Sequence, residues 1–258
     1  MKKYEKQADL ILKRLSLVDK LTISDGAELL NITESSVRRI FAKMENSGLA
    51  IRLHGGLARL PQEHSSYSYS VEDTVNTEQK KKIAAAAAKF IADSRSVYLD
   101  SGSTLYRISL ALSNFLNKTP CPNLKIFTNS LKNLEVLQGI SSIRLSGGDY
   151  RASRRDFCGF LAETAVSRLN FDVCVLGTDG VTASGNLTTT DFDTAKLCMS
   201  AISHSAVKVL AADSSKFGKT ALITYADLSD ISVVITDSGI PEDYVNLLSS
   251  RNIKTIIV

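Results

Sequence analysis

Residues 96–104 read SVYLDSGST and run on as LYRISLAL to residue 112. Four strand-forming residues end in an acid, a glycine and three hydroxyl side chains, and apolar residues at helical spacing follow. A strand that opens straight into a helix leaves unpaired backbone N–H groups at the helix N-terminus, where an anion is stabilised. Gly102 lets the backbone approach a ligand closely, and Ser103 and Thr104 add hydroxyl donors, so the stretch suits a phosphate. Asp100 would repel phosphate but accepts hydrogen bonds from sugar hydroxyls beside it. A phosphorylated sugar or polyol satisfies both ends. The loop is not a nucleotide P-loop, because G-x-x-x-x-G-K-[ST] is absent.

On either side the chain alternates helical and strand-like segments. KKKIAAAAAKFIADS, LKNLEVLQ and DTAKLCMSAISH read as helices. LKIFT, SIRLS, DVCVLG, VKVLAA, SVVIT and KTIIV read as further short apolar strands. Continuous apolar strands separated by helices predict an α/β domain with a mostly parallel sheet covered on both faces. Polar, small and charged residues follow strand after strand: SGST, then NS, GGDYR, TDG and DSSKFG. Turn chemistry alone explains Gly and Asp in any one such loop. Five of them on the carboxyl edge, carrying hydroxyls, a lysine and carboxylates, point to a ligand there.

The first sixty residues differ in character. They hold eleven Lys/Arg against seven Asp/Glu, whereas the other 198 residues hold twenty of each, so the whole net charge of +4 lies in the first quarter. That asymmetry points to a polyanion partner for the N-terminal part. Ala8, Ile11, Leu12 and Leu15 mark a first amphipathic helix ending near Leu17. Ser24 is placed to cap a short second helix buried through Ala27, Leu29 and Leu30, and Gly48 to end a third. That third helix, ESSVRRIFAKMENSG, is capped by Thr33 and carries the stripe Val37, Ile40, Phe41 and Met44. A capped short helix, a tight turn and a second helix describe a helix-turn-helix. AIRLHGGLARL then reads as a hairpin wing. The candidate DNA-facing residues are Thr33, Ser35, Ser36, Arg38, Arg39 and Lys43 on the helix, and Arg52, His54, Gly55 and Gly56 on the wing. Stacking platforms for unpaired bases are missing, which disfavours RNA.

SSVRRIFAKMENSGLAIRLHGGLARL resembles the signature of the DeoR family of bacterial transcriptional regulators, and LDSGST, FTNSL, LSGG, LGTDG and DSSKFG resemble its later signatures in order. The resemblance covers nearly the whole chain. It implies a winged helix-turn-helix over residues 1–60, a linker over 61–79, and a sugar-phosphate-sensing, oligomerising domain over 80–258. That domain would be similar in fold to ribose-5-phosphate isomerase and CoA transferases. By position it implies effector contacts from Asp100, Gly102, Ser103, Thr104, Thr128, Asn129, Ser130, Gly147, Gly148, Asp179, Gly180, Lys196 and Lys216. Three departures stand out: Ile40 where the family usually has an acid, Ser94-Arg95 for a glycine turn, and Asn186 inserted near Thr188 and Asp191.

The expected partners are double-stranded operator DNA, a small phosphorylated sugar and further copies of the chain in the cytoplasm, with no membrane and no cofactor. The longest apolar runs are too short to span a bilayer, the charged N-terminus does not read as a secretory signal, and the four cysteines and three histidines form no zinc pattern. The competing reading is a sugar-phosphate isomerase-like enzyme using Asp100, Asp179 and Lys196 as base and electrostatic groups. Binding without turnover fits better behind a DNA-binding module, since a consumed metabolite is a poor signal.

Overall fold

The computed structural model describes residues 3–258 except 16, 17, 19, 48, 54 and 59–66. The chain divides into two compact units, Met1–Ser66 and Tyr67–Val258.

The N-terminal unit runs α1 (Lys3–Leu15), β1 (Lys20–Thr22), α2 (Ile23–Leu30), α3 (Glu34–Asn46), β2 (Ile51–Leu53) and β3 (Gly56–Ala58). Its core closes on Ile11, Leu15, Val37, Phe41, Met44 and Leu57, all buried. Ile40, one of the departures from the resemblance, belongs to that core at 9% exposure. The cap of α2 is Thr22 rather than Ser24. Thr22 Oγ1 accepts from Asp25 N at 3.1 Å while Asp25 Oδ2 accepts from Thr22 N at 2.8 Å, a reciprocal box. It is available to Thr22 because an acid stands three residues on, whereas Ser24 is followed at that distance by Ala27. Asn31 in the left-handed region ends α2, and Leu29 of the expected buried side is exposed. Thr33 precedes α3 without a side-chain cap bond; its hydroxyl instead meets Ser35 and Ser36 Oγ at 3.1 and 3.0 Å. The wing is present as β2 and β3, and β1 joins β3 antiparallel to make three strands. Leu17, Gly48 and His54 lie outside the described residues.

The second unit opens with α4 (Tyr69–Glu72) and α5 (Thr77–Ala92), so residues 67–79, expected within a linker, are part of this unit. The polar composition that suggests a linker reflects hydrogen bonding instead: Asn76 Nδ2 reaches Asp213 Oδ1 at 2.8 Å and Arg107 holds the Asp73 carboxylate at 2.8 Å. Then come β4 (Ser96–Leu99), α6 (Ser103–Lys118), β5 (Lys125–Thr128), α7 (Leu131–Leu137), β6 (Ser142–Leu145), β7 (Asp149–Arg151), β8 (Asp156–Cys158) and α8 (Phe160–Ser167). The rest is β9 (Phe171–Leu176), β10 (Gly180–Val181), β11 (Asn186–Thr189), α9 (Phe192–Ser203), β12 (Ser205–Ala211), β13 (Ile223–Asp227), β14 (Val233–Thr236), α10 (Glu242–Ser250) and β15 (Lys254–Ile257).

Seven strands form one parallel sheet in the order β15-β14-β12-β9-β4-β5-β6. Period-two alternation sorts its side chains between two cores. Val97, Leu99, Val173 and Val175 face Ile83, Ala87, Ile91 and Ile108 of α5 and α6. Tyr98, Cys174 and Leu176 face Ala162, Ala201 and Leu248 of α8, α9 and α10. Both faces are dry, which is why these strands read as unbroken apolar runs. The chain moves outward from β4 to β5 and β6, then returns to β9 on the other side of β4. The carboxyl ends of β4 and β9 therefore flank the point where strand order reverses, the position at which open α/β sheets hold ligands. β7–β8 and β10–β11–β13 are small antiparallel additions at that edge. No helix among the described residues is long and apolar enough to cross a membrane.

Candidate functional site

On the N-terminal unit, Ser35, Arg38, Arg39 and Lys43 of α3 are exposed beside the buried stripe. Arg38 pairs loosely with Glu34 at 3.4 Å. Arg52 is committed to bracing: its Nη1 donates to the Arg38 carbonyl at 3.1 Å, tying the wing to the middle of α3. Lys43 Nζ rests 3.9 Å from the Tyr4 ring centroid. Arg39 makes no ion pair or hydrogen bond among the described residues, so its guanidinium is available to a polyanion. Gly55 forms the exposed turn of the wing and Gly56 begins β3.

On the second unit, a cleft lies over the switch point. The SGST loop, Gly177–Asp179, Arg154, Lys216, Thr194 and Tyr225 line it, together with Tyr67 and Glu72 from the residues that open the unit. Gly102 sits at φ +111 and caps α6, a conformation only glycine takes without strain. Asp100 is buried at 3% exposure, and its Oδ1 has no hydrogen-bond partner. Burial, with Asp156 nearby adding repulsion, pushes its pKa up to about 6; bonds from the Ser101 and Gly177 backbone and the charge of Arg154 only partly oppose this. Cys198 Sγ approaches its Oδ2 at 3.7 Å. Asp179 is instead satisfied, accepting from Thr189 Oγ1 and from the backbone and hydroxyl of Thr190 at 2.9–3.1 Å.

Behind the loop stands a buried charge network. Asp156, fully buried, accepts from Arg151 Nε and Nη2 at 2.9 Å each and from Ser101 Oγ at 2.8 Å. Arg151 also bonds Asp191 and Thr194 Oγ1. Arg154 is only 10% exposed and lies 3.7 Å from Asp156, yet its Nε has no hydrogen-bond partner. A buried guanidinium with unspent donors lining a cleft is costly unless something anionic fills it.

The expected effector residues thus separate. Asp100, Gly102, Ser103, Thr104, Asp179 and Lys216 line the cleft. Thr128, Asn129 and Ser130 do not; they are buried braces, with Ser130 capping α7 and Thr128 Oγ1 accepting from Ser130 N and Asn133 Nδ2 at 3.1 Å. Gly148 is required by packing, for a Cβ there would lie 2.3 Å from the Cys158 carbonyl. Gly147 and Gly180 are likewise absent from the lining. Lys196 is exposed on α9, because its neighbours Ala195, Leu197 and Cys198 turn the buried face of the helix away from it. The Asp100, Asp179 and Lys196 constellation that an isomerase needs is therefore not assembled. Tyr67, Glu72, Arg154, Thr189, Thr194 and Tyr225 are among the lining residues that the sequence did not point to.

Residues 8–63 match the DeoR-like helix-turn-helix domain, and residues 75–238 match the DeoR C terminal sensor domain. The chain is 28% identical to a putative aga operon transcriptional repressor of Escherichia coli O157:H7, over 96% of this chain and 91% of that one. It is 27% identical to the glycerol-3-phosphate regulon repressor of Escherichia coli K12, over 88% of each. Among solved structures, ribose 5-phosphate isomerase A from Methanocaldococcus jannaschii covers 55% of each chain at 16% identity and a TM-score of 0.42.

Proposed function

The chain belongs to the DeoR family of transcriptional regulators, and on that premise we propose that it represses a carbohydrate-utilisation operon under control of a phosphorylated sugar or polyol held in the cleft. Family and relatives alike are regulators of transcription, not enzymes. The observation that carries the effector reading is Arg154: a nine-tenths buried cation whose Nε lies 3.7 Å from Asp156 but makes no hydrogen bond, lining the same cleft as the N-terminus of α6. The phosphoryl group goes to the α6 N-terminus, Arg154 and Lys216. The sugar hydroxyls go to Asp100 and Asp179. Names of the relatives, aga operon and glycerol-3-phosphate regulon repressors, are in keeping with that class.

On DNA, α3 enters the major groove with Arg38 and Arg39 foremost. A bidentate base contact discriminates by about 1–3 kcal/mol, and a specific site needs about 4–10 kcal/mol over non-specific DNA, so one helix is insufficient. At least two copies bind repeated half-sites. The first residues of α8 and α9, Phe160 and Phe192, are 77% and 66% exposed, with Leu161 and Met199 also exposed; this apolar face is the contact between copies. The test is binding to a duplex from the chain's own upstream region against a scrambled duplex. Specific, steeply salt-dependent binding supports the reading, and equal affinity for both duplexes sinks it.

A further inference from the structure

The groups that would receive a ligand's phosphate are already held, each by a residue of one short segment. Ser103 N, the first N–H of α6, donates to Tyr67 Oη at 3.1 Å. The Arg154 guanidinium lies 4.2 Å from the centroid of the Tyr67 ring. Lys216 Nζ donates to Glu72 Oε2 at 3.0 Å, and the buried Lys80 Nζ lies 3.8 Å from the same oxygen while donating to the Glu72 carbonyl and Ser103 Oγ. Tyr67 and Glu72 thus present an acceptor hydroxyl, an aromatic face and a carboxylate to the donor and cations of the cleft. Together they imitate the oxygens and charge of a phosphate monoester.

We propose that residues 67–72 are an internal occupant of the anion site, which a phosphorylated ligand displaces. The inference rests on the effector reading above and specifies how that cleft is regulated. A phosphate carries close to two negative charges and several acceptor oxygens, against one charge on Glu72 and a neutral oxygen on Tyr67. The ligand therefore forms the stronger bonds with Ser103 N, Arg154 and Lys216, and it leaves the segment without its partners.

The remainder of the segment is built to let one end go. Its far end is fixed to the body of the unit: Asp73 is bound by Arg107, and Asn76, in the left-handed region at φ 51, donates to Asp213 and Ser215. Its near end depends on the cleft contacts, on the Tyr69 ring against Tyr106 and on Tyr69 N donating to the Ser153 carbonyl at 2.9 Å. Tyr67 is also the first residue of the sensor unit, joined through the chain to everything up to Ser66. Ligand occupancy is then read as the state of the residues from which the DNA-binding unit is tethered. A ligand shifts such an equilibrium only through different affinity for its two states, and direct competition for the same donors supplies that difference.

The test uses the full chain, with inorganic phosphate and ribose 5-phosphate as probes and hydrogen exchange of residues 67–73 as the readout. Displacement predicts that exchange there rises several-fold on binding. Glu72→Gln and Tyr67→Phe are expected to raise it without any ligand, and to cut the ligand-induced change in operator affinity by at least half. Falling exchange on ligand binding would mean that the segment clamps the ligand, and it overturns the proposal. So does an unchanged ligand response in both variants. Failure of the wild-type chain to bind either probe is a different result: it removes the effector reading itself.

Discussion

The ring of Tyr67 covers the guanidinium of Arg154 at 4.2 Å, in a cleft where Arg154 Nε finds no hydrogen-bond acceptor. One residue opens the sensor unit and the other lies between the two strands of a small hairpin, so their stacking brings the start of the unit against a buried cation whose Nε makes no hydrogen bond. Arg154→Lys keeps the charge but loses the planar fork. It is expected to weaken binding of a phosphorylated ligand by about 10- to 100-fold, on the order of 1–3 kcal/mol for a charge-assisted bond, while leaving the unphosphorylated parent sugar unaffected. Calorimetric titration of both ligands checks this.

Asp100 gives a stability prediction with a definite sign. Its folded pKa of about 6 lies above its ordinary value of 3.8, chiefly because burial disfavours the charged form. As pH rises from 3.8 to about 6 the unfolded chain releases this proton and the native chain retains it, so the group lowers stability progressively across that window. The penalty is complete above it. Asp100→Asn should therefore stabilise the protein by about 1–3 kcal/mol at neutral pH and flatten its stability profile through that window. Chemical denaturation across the pH range measures it, and the expected functional cost is weaker recognition of ligand hydroxyls.

Removing Asp156 has the opposite effect on stability. The residue is fully buried between Arg151 and Arg154 and takes the Ser101 hydroxyl, so Asp156→Ala leaves Arg154 without its carboxylate and Arg151 with Asp191 alone. A loss of about 3–5 kcal/mol in unfolding free energy is expected, read by thermal or urea denaturation.

The seven apolar runs read as strands are the seven strands of the parallel sheet. They were legible because burial on both faces writes itself as uninterrupted Val, Ile and Leu. The SGST loop was legible because a glycine and hydroxyls between strand and helix have few other uses. Arg151, Arg154 and Asp156 were not. They sit in DYRASRRDF, a polar stretch with five charged residues, and which of these is buried is decided by a three-residue hairpin strand packing against α9. Tyr67 and Glu72 were hidden in a serine-rich stretch for the same reason, since their partners stand tens to more than a hundred residues away. Lys196 failed by helix phase: one position along α9 separates a buried side chain from an exposed one.

On the DNA side, Arg39→Ala is expected to cost about 1–3 kcal/mol of operator affinity and to reduce discrimination between operator and scrambled duplex. Arg52→Ala acts through the Arg38 carbonyl it holds and should misplace α3, weakening binding while leaving the charge of the helix intact. Anisotropy titrations at two salt concentrations distinguish the two effects.

For assembly, Phe160→Glu combined with Phe192→Glu places charge on an apolar face that the proposed partner copy covers. Sedimentation equilibrium should show dissociation to monomers, with operator affinity falling to the non-specific range.

The most direct test of the account is operator anisotropy titrated with a sugar phosphate and, in parallel, with the same sugar lacking phosphate. The account predicts that a phosphorylated compound shifts operator affinity by about 5- to 150-fold, the range of an ordinary allosteric coupling, and that its parent does not. Equal operator affinity with and without every phosphorylated sugar and polyol tried would contradict it.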